Sequence, residues 1–261
     1  KVEDELPLHG SIEINTRASA NTNDLRLNVS ISYDNLWQRD HSIALQGQIT
    51  PEDTEEVRLI AVSYTLPAPW EDDQMLALYS IWSDSNTAFG DGFQVAGKGY
   101  IVGGRWIAPL PPLEAYYHSL TMGLDYKDFD ETTAFTESGQ ERLETPISYV
   151  PVTFSYNAGL GDRWGRTTFS AGTTMALRGL GSDREDFETK RYNASDNFIY
   201  ARMGIERYQP LGAYMDLFAK LDGQITDDAL ISNEQYLAGG MESVRGYYES
   251  EQAGDSAIHT V

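Results

Sequence analysis

The sequence has no cysteine and few cations: 19 Lys and Arg stand against 40 Asp and Glu in 261 residues, for a net charge of −21. The absence of cysteine excludes a disulfide framework, a cysteine-ligated zinc site and a cysteine nucleophile. Because a strongly negative chain is repelled by phosphates, we predict no nucleic-acid partner. The four histidines stand in none of the local motifs of catalytic or metal sites. We therefore predict no catalytic residue, no metal site and no cofactor.

Long hydrophobic runs are missing as well. No segment approaches the ~20 continuous apolar residues that a membrane helix requires. A membrane-spanning β-barrel remains compatible with this sequence, because its apolar band occupies only every second residue of each strand. The mean hydropathy of −0.43 suits such a barrel. Residues 1–10 carry an acidic run and Pro7 before any alternation begins, and they are predicted to be a linker.

What the sequence does contain is a strict alternation of apolar and polar residues, clearest over residues 25–34. A period of two is typical of a β-strand with one apolar face. The length matches the ~9 to 11 residues that a tilted strand needs to cross a bilayer. The opposite face is polar and is predicted to point into the lumen; it carries Arg26, Asn28, Ser30 and Ser32.

Similar patterns predict about eleven strands in an all-β, antiparallel fold. Their approximate positions are 9–16, 25–34, 43–49, 57–66, 74–84, 93–108, 115–127, 146–157, 164–178, 197–208 and 213–226. In the last of them, Met215, Leu217, Ala219 and Leu221 would face lipid. The alternate residues, among them Asp216, Lys220 and Asp222, would face the lumen.

The connections between these strands alternate in length. Those after the even-numbered strands are short, whereas those after the seventh and ninth are predicted to be long and acidic. The first acidic run comprises Asp128, Asp130, Glu131, Glu137, Glu141 and Glu144, and the second Asp183, Glu185, Asp186 and Glu188. Short turns on one side and long loops on the other are typical of an outer-membrane barrel with short periplasmic turns.

Aromatic residues are numerous, and several stand near predicted strand ends: Trp37, Trp70, Tyr117, Tyr208 and Tyr214. In a barrel these side chains would form girdles at the membrane interfaces. The alternative is cross-strand packing in a soluble β-sandwich that serves as a binding module, since aromatic residues are also enriched in such sheets.

Near the end of the chain, residues 239–249 combine three glycines, one arginine and two tyrosines. Gly239 and Gly240 permit a tight turn. Ser243 and the run Val244-Arg245-Gly246-Tyr247 follow, so that a cation and aromatic rings are presented from a bendable loop.

Val244-Arg245-Gly246-Tyr247 resembles the tetrapeptide at the tip of the sixth extracellular loop of two-partner secretion transporters of the hemolysin secretion/activation (ShlB/FhaC/HecB) family. The frame around it, Asn233-Glu234-Gln235-Tyr236, Gly239-Gly240, Ser243 and Gly254-Asp255, is similar as well. Two residues after the Gly254-Asp255 pair the family often carries a glycine, and this sequence has Ala257 instead.

This resemblance implies a sixteen-stranded barrel in the bacterial outer membrane, in contact with its lipid, with periplasmic POTRA domains upstream. It implies an unfolded polypeptide as substrate, a large secreted exoprotein of the adhesin or hemolysin type. The loop would fold back into the lumen, where Arg245 would pair with an acidic residue of a strand beyond residue 261. A BamA-type assembly factor, which shares the barrel and loop, is the alternative.

The expected organisation follows from these interpretations. Residues 1–10 would be a linker from the POTRA region, and residues 11–226 would form the transmembrane strands. Residues 227–261 would form the long extracellular loop with the motif and the possible start of the next strand.

Overall fold

The computed structural model describes residues 6–19, 22–54, 57–85, 97–134, 142–212, 214–241 and 243–260. These residues form one antiparallel sheet of twelve strands and a separate two-stranded hairpin. The strands are β1 (Leu8–Asn15), β2 (Arg26–Leu36), β3 (His41–Ile49), β4 (Arg58–Ala68), β5 (Glu71–Ser85), β6 (Gly97–Pro109), β7 (Tyr116–Ala134), β8 (Arg142–Asp162), β9 (Gly165–Gly181), β10 (Ile199–Pro210), β11 (Asp216–Ile225), β12 (Tyr236–Ala238), β13 (Gln252–Gly254) and β14 (Ala257–Thr260).

In the large sheet, each strand from β1 to β11 pairs with its neighbour in sequence. β14 pairs with β11, and β12 pairs with β13 to form the small hairpin. The predicted all-β antiparallel fold is confirmed. A sandwich needs two sheets packed face to face, whereas the described residues place twelve strands in one continuous sheet and only a short hairpin apart from it.

The two faces of the sheet differ in the way that the alternation predicts. Ile31, Leu45 and Val62 stand directly opposite one another on β2, β3 and β4, and all three are exposed. On β7, Leu120, Met122 and Leu124 are likewise exposed on this outer face. So many large apolar side chains exposed on one face are what a barrel presents to lipid.

The opposite, inner face carries the packed core, which lies toward the long connections. Ring contacts join Tyr149 on β8 to Phe187 and Phe198, with ring centroids 5.8 and 5.9 Å apart. The full cluster comprises Leu59, Ala61, Tyr79, Ile81, Ile101, Phe129, Ile147, Tyr149, Ala176, Phe187, Ala194, Phe198, Tyr200, Leu230 and Ile231. The interior is therefore filled by side chains from the connections as well as from the strands.

Phe187 belongs to α1 (Arg184–Lys190), a short helix in the β9–β10 connection. The carboxylate of Asp183 caps it by accepting from the backbone N–H groups of Glu185 and Asp186, at 2.9 and 3.2 Å. Asp186 in turn accepts from the N–H of Asp183, which completes a capping box. No helix within the described ranges is long and apolar enough to cross a membrane.

One part of the sequence prediction is wrong: much of the first acidic run lies in strands and not in a loop. Asp128 pairs in register with Ser148, and Asp130 with Pro146; Glu131 and Glu144 also fall within β7 and β8. These strands have 19 and 21 residues, about twice the ~9 to 11 that cross a bilayer. Their ends extend beyond the lipid, where strand residues can be acidic. Glu137 and Glu141 lie outside the described residues.

The aromatic girdle also needs correction. Tyr117 and Asp125 are eight residues apart on β7 and therefore share the inner face, and Tyr208 shares its face on β10 with Arg202. Both side chains therefore point inward, because the face is set by strand parity and not by nearness to a strand end. Trp37 and Trp70 lie in the short turns and are exposed.

Candidate functional site

The connection between β11 and β14, residues 226–256, is here called the returning loop. It leaves β11 on the side of the long connections and then packs onto the inner face of the sheet. Leu230 and Ile231 are fully buried in the interior core. A short 3-10 helix, Ser232–Glu234, follows, and then the hairpin of β12 and β13. A loop that would otherwise extend into solvent is thus held inside.

Glu234 fixes the returning loop to the wall and is only 1% exposed. Its carboxylate accepts from Lys127 Nζ at 2.6 Å and from the hydroxyls of Tyr149 and Tyr200 at 2.6 and 2.8 Å. These partners come from β7, β8 and β10, so one carboxylate ties the loop to three strands. We call Glu234 and these three side chains the loop anchor.

The protonation state of Glu234 follows from its surroundings. Burial by itself would raise the pKa of this carboxyl, but the Lys127 ammonium and the three hydrogen bonds outweigh burial and lower the pKa below its ordinary value. Glu234 is therefore ionised in the folded loop. The buried ion pair of Glu234 and Lys127 is stable only when both charges are present, because removal of either one would leave the other uncompensated.

Asp255 ties the far end of the loop back to its start. Its carboxylate receives both Nη groups of Arg191, and it accepts from Gln235 Nε2 at 3.0 Å. Arg191 also donates to the carbonyl of Leu230. Burial would raise the pKa of Asp255, but the hydrogen bonds from Arg191 and Gln235 lower it. We call this group the loop clamp.

The hairpin of the returning loop turns at two glycines. Gly239 and Gly240 have φ angles of 119° and 97°, which side chains rarely adopt. A Cβ on Gly239 would lie 2.4 Å from the carbonyl oxygen of Tyr248. Ser243 Oγ closes the turn by accepting from the N–H of Gly239 at 2.8 Å and donating to its carbonyl at 2.9 Å.

Beyond this turn, the motif forms the tip of the loop. Val244, Arg245, Gly246 and Tyr247 are all exposed. Within the described part of the chain, no ion pair involves the Arg245 guanidinium. The N–H of Glu249 donates to the carbonyl of Ala18 at 3.0 Å. The tip therefore touches the β1–β2 connection while the anchor sits on β7 to β10, so the sheet wraps around the loop.

The predicted lumen-facing residues take different positions. Arg26 is buried and donates to the Asn23 carbonyl at 2.5 Å and to Thr50 Oγ1 at 2.9 Å, so it orders the β1–β2 connection. Ser30 pairs with Ser11 across the strands at 2.7 Å. Asn28 and Ser32 alternate with the exposed apolar residues of β2.

On β11, the other predicted lumen-facing residues also differ. Asp222 contacts the returning loop directly, because it accepts from the Tyr236 hydroxyl. It also lies 3.3 Å from His259 Nδ1 and 3.4 Å from Lys220 Nζ. Asp216, at the start of the strand, is exposed. The structure thus brings Asp222 to the loop, places Lys220 beside Asp222 and leaves Asp216 apart.

Sequence reasoning missed the side chains on the wall. Lys127 and Arg191 were not singled out, although the alternation of β7 places Lys127 on the inner face between Asp125 and Phe129. A lone cation on such a face is a usable signal. Its partner could not be found in this way, because Glu234 is 107 residues away in sequence.

A second missed group lies on the inner wall below the anchor. Arg105 forks onto Asp125, with N–O distances of 2.5 and 2.8 Å, and Tyr79 donates its hydroxyl to the same carboxylate. Glycines make the room for it. A Cβ on Gly103 would lie 2.1 Å from Asp125 Oδ1, and one on Gly123 would lie 2.6 Å from Arg105 Nη1.

Solved structures share this fold. CdiB from Escherichia coli superposes with a TM-score of 0.78 at 18% identity, covering 99% of this chain and 48% of that chain. CdiB from Acinetobacter baumannii gives 0.68 at 13% identity, covering 97% and 45%. BamA from Haemophilus ducreyi lacking POTRA domains 1-3 gives 0.63 at 14%, covering 99% and 53%. The chain thus spans about half the length of these structures, and at such identities the likeness shows the fold alone.

No curated protein matches the chain in sequence. Its residues 1–260, however, match the family model described as Haemolysin secretion/activation protein ShlB/FhaC/HecB. The match covers nearly the whole chain and confirms the resemblance carried by the loop motif and its frame. The chain belongs to the haemolysin secretion/activation protein family ShlB/FhaC/HecB, whose β-barrels lie in the bacterial outer membrane.

Proposed function

We propose that the full-length protein is a two-partner secretion transporter that moves one large, unfolded exoprotein across the outer membrane. The observation that carries this proposal is the returning loop. It occupies the inner face of a membrane-spanning sheet, and it is held there by polar contacts that can be exchanged for others. A lumen filled by a movable loop is suited to opening and closing a path for a polypeptide.

The construction of the loop supports a movable closure. Its charged contacts to the rest of the molecule include two groups, the loop anchor at Glu234 and the loop clamp at Asp255. Between them lies a hairpin with only three residue pairs, whose connection, residues 239–251, begins with two glycines of positive φ. Loss of these charged contacts would loosen the segment between them, because a hairpin of three residue pairs is too short to stay folded by itself.

Arg245 is the proposed functional residue of the tip. It is exposed and carries an unpaired cation among the described residues, so it is available to a partner outside them. The proposed partner is an acidic side chain on the inner wall of a later strand of the full-length barrel. A guanidinium can fork onto such a carboxylate, and this pair would hold the tip in one position.

The proposed mechanism has no enzymatic step. The exoprotein would pass as an extended chain along the inner face, in exchange for the returning loop, and folding outside would draw it onward. Outer-membrane lipid would contact only the apolar outer face. The family match favours this function over the assembly of other barrels by a BamA-type factor.

Secretion by the full-length protein tests the proposal. The exoprotein encoded as its partner should appear outside cells that carry the transporter and remain in the periplasm of cells that lack it. Cells with an unrelated outer-membrane barrel of similar abundance serve as the control. Equal release of the exoprotein with and without the transporter would contradict the proposed function.

A further inference from the structure

A polar cavity of about 330 Å³ lies on the inner face directly beneath the loop anchor. Its charged and amide lining consists of Arg105, Asp125, Lys127, Arg202, Asn233 and Glu234. Arg202 and Ser170 also line a larger recess of about 900 Å³, which extends toward the short-turn end past Ser119 and Lys220. Arg202 therefore stands where the two spaces meet on the inner wall.

The three cations of the upper cavity are not equivalent. Arg105 is paired with Asp125, and Lys127 is paired with Glu234. Arg202, on β10, donates its Nε to the neutral amide oxygen of Gln224 at 2.6 Å. Its guanidinium carbon lies 5.0 Å from the ring centroid of Tyr200. Among the described residues, no carboxylate forms an ion pair with Arg202, so its terminal N–H groups are free to bind one.

We propose that this cavity binds an acidic side chain of the polypeptide in transit, with Arg202 as the residue that receives the carboxylate. The inference rests on the proposed function and names the chemical class of substrate segment that the wall recognises: an extended peptide bearing Asp or Glu. Arginine suits this role, because its planar fork matches the two oxygens of a carboxylate.

The surroundings of Arg202 favour the same ligand. The cavity already stabilises one carboxylate, since Glu234 of the returning loop lies in its lining and is held by Lys127, Tyr149 and Tyr200. The tyrosine ring beside Arg202 keeps the guanidinium in place by a cation–π contact. The volume falls at the lower end of the ~300–1,000 Å³ of small-molecule sites, which suits one or two side chains.

The net charge of the chain sharpens this inference. At −21, these 261 residues taken together repel an acidic peptide. Selective binding of such a peptide therefore requires a local positive site. The wall of the Arg202 cavity is one, because it carries Arg105, Lys127 and Arg202 against Asp125, and the other carboxylate of the lining, Glu234, belongs to the returning loop.

The test measures peptide binding to the purified full-length transporter in detergent. The probes are two fluorescent Gly-Ser peptides of equal length, one with two central glutamates and the other with glutamines at those positions. The glutamate peptide should bind wild-type protein about tenfold more tightly at low salt, as expected for one charge-assisted fork. Arg202→Gln should abolish this preference, and Arg202→Lys should retain a smaller one.

The matched control is Arg178→Gln, which removes the same charge from an exposed side chain that pairs with Asp196 on the long-loop side. It should keep the wild-type preference for glutamate. An equal affinity of wild-type protein for the two peptides would overturn the inference, and so would an undiminished preference in Arg202→Gln or Arg202→Lys.

Exoprotein secretion is measured for the same variants. A wild-type transporter that prefers the glutamate peptide but releases no exoprotein would contradict the proposed function and leave the carboxylate site standing. One that secretes but shows no preference would contradict the site alone.

Discussion

Glu234 and Arg245 lie on the same loop, but the structure treats their charges differently. The carboxylate of Glu234 is buried among three donors, whereas the guanidinium of Arg245 is exposed at the tip. A buried charge costs several kcal/mol in desolvation unless its partners are complete. Glu234 therefore fixes the position of the base of the loop, whereas Arg245 is available at the tip to contact another residue.

Replacing Glu234 by Gln should loosen the base of the returning loop. The neutral amide leaves the largely buried Lys127 ammonium without its counter-charge, and breaking one side of a buried pair typically costs about 3–5 kcal/mol. Hydrogen–deuterium exchange of residues 230–238 in the full-length protein should become faster. Glu188→Gln is the control, because the ion pair of Glu188 among the described residues is with exposed Arg184, away from the anchor. Unchanged protection in Glu234→Gln would show that the apolar contacts of Leu230 and Ile231 suffice.

At the tip, Arg245→Ala and Arg245→Lys should both impair secretion while the barrel still inserts. Alanine removes the cation, and lysine cannot reproduce a two-pronged contact with a carboxylate. Glu251→Gln should do less, since the amide oxygen can still accept from the N–H of Tyr248. The measurement is secreted exoprotein per inserted transporter. Wild-type secretion by Arg245→Ala would mean that this arginine is simply solvated.

At the scale of secondary-structure elements, the returning loop and the β9–β10 connection are joined by several contacts. Arg191 follows α1 and holds both Asp255 and the Leu230 carbonyl, so the helix-bearing connection grips the loop at its two ends. Phe187 of α1 packs in the same core as Leu230 and Ile231. Movement of the loop out of the lumen would therefore disturb α1 as well.

Acid should release the loop. The pKa values of Glu234 and Asp255 are both lowered from their ordinary values of 4.5 and 3.8. A carboxyl group whose pKa is lower in the folded state than in the unfolded state stabilises the fold at every pH above its unfolded-state pKa. This stabilisation is lost as the pH falls through its folded-state pKa. Exchange protection of residues 230–238, corrected for intrinsic rates, should be constant from about pH 5 to 8 and fall below about pH 4.

The strand pairs of β3 and β4, which lie outside the anchor and the clamp, provide the internal control for this experiment. Their protection should persist at the acidity that exposes the loop. Simultaneous loss in both regions would mean that the sheet itself melts and that the two carboxylates have no special role.

The capping box of α1 should also be measurable. Asp183→Ala removes the side-chain acceptor for two backbone N–H groups and should destabilise the helix by about 0.5–2 kcal/mol. Asp183→Asn keeps an oxygen acceptor and should cost much less. Faster exchange of residues 184–190 in the alanine variant, but not in the asparagine variant, is the expected result; equal rates would argue against the cap.

On the scale of the whole molecule, the alternation of connection lengths indicates how the sheet is oriented in the membrane. The turns at 37–40, 69–70 and 163–164 are short, whereas the connections after β9 and β11 are long. Short turns lie on the periplasmic side of such barrels. The interior core, α1 and the base of the returning loop therefore lie toward the cell exterior.

An epitope tag inserted after Tyr192, which is 93% exposed, should be reached by antibody on intact cells of the full-length protein. A tag at Pro111, in a short turn, should be reached only after the outer membrane is permeabilised. Both proteins should be heat-modifiable, which shows that they have inserted. Surface labelling at Pro111 would reverse the proposed orientation.

Much of this molecule can be predicted from the sequence, because a membrane strand is encoded locally. The alternation over 25–34 is enough to identify β2 and its two faces, since each side chain responds to the medium beside it and not to a distant partner. The short turns are equally local. The motif at Val244–Tyr247 and its frame identified the family for the same reason.

The tertiary structure alone decided which charges meet. Lys127 joins Glu234, and Arg191 joins Asp255, only after β7, the β9–β10 connection and the returning loop are brought side by side. Each of these residues is an ordinary polar side chain in its local sequence, so no pattern marks its partner. The lengths of β7 and β8 were missed for a related reason: beyond the lipid, the ladder continues through hydrogen bonds of the backbone, which leave no trace in side-chain alternation.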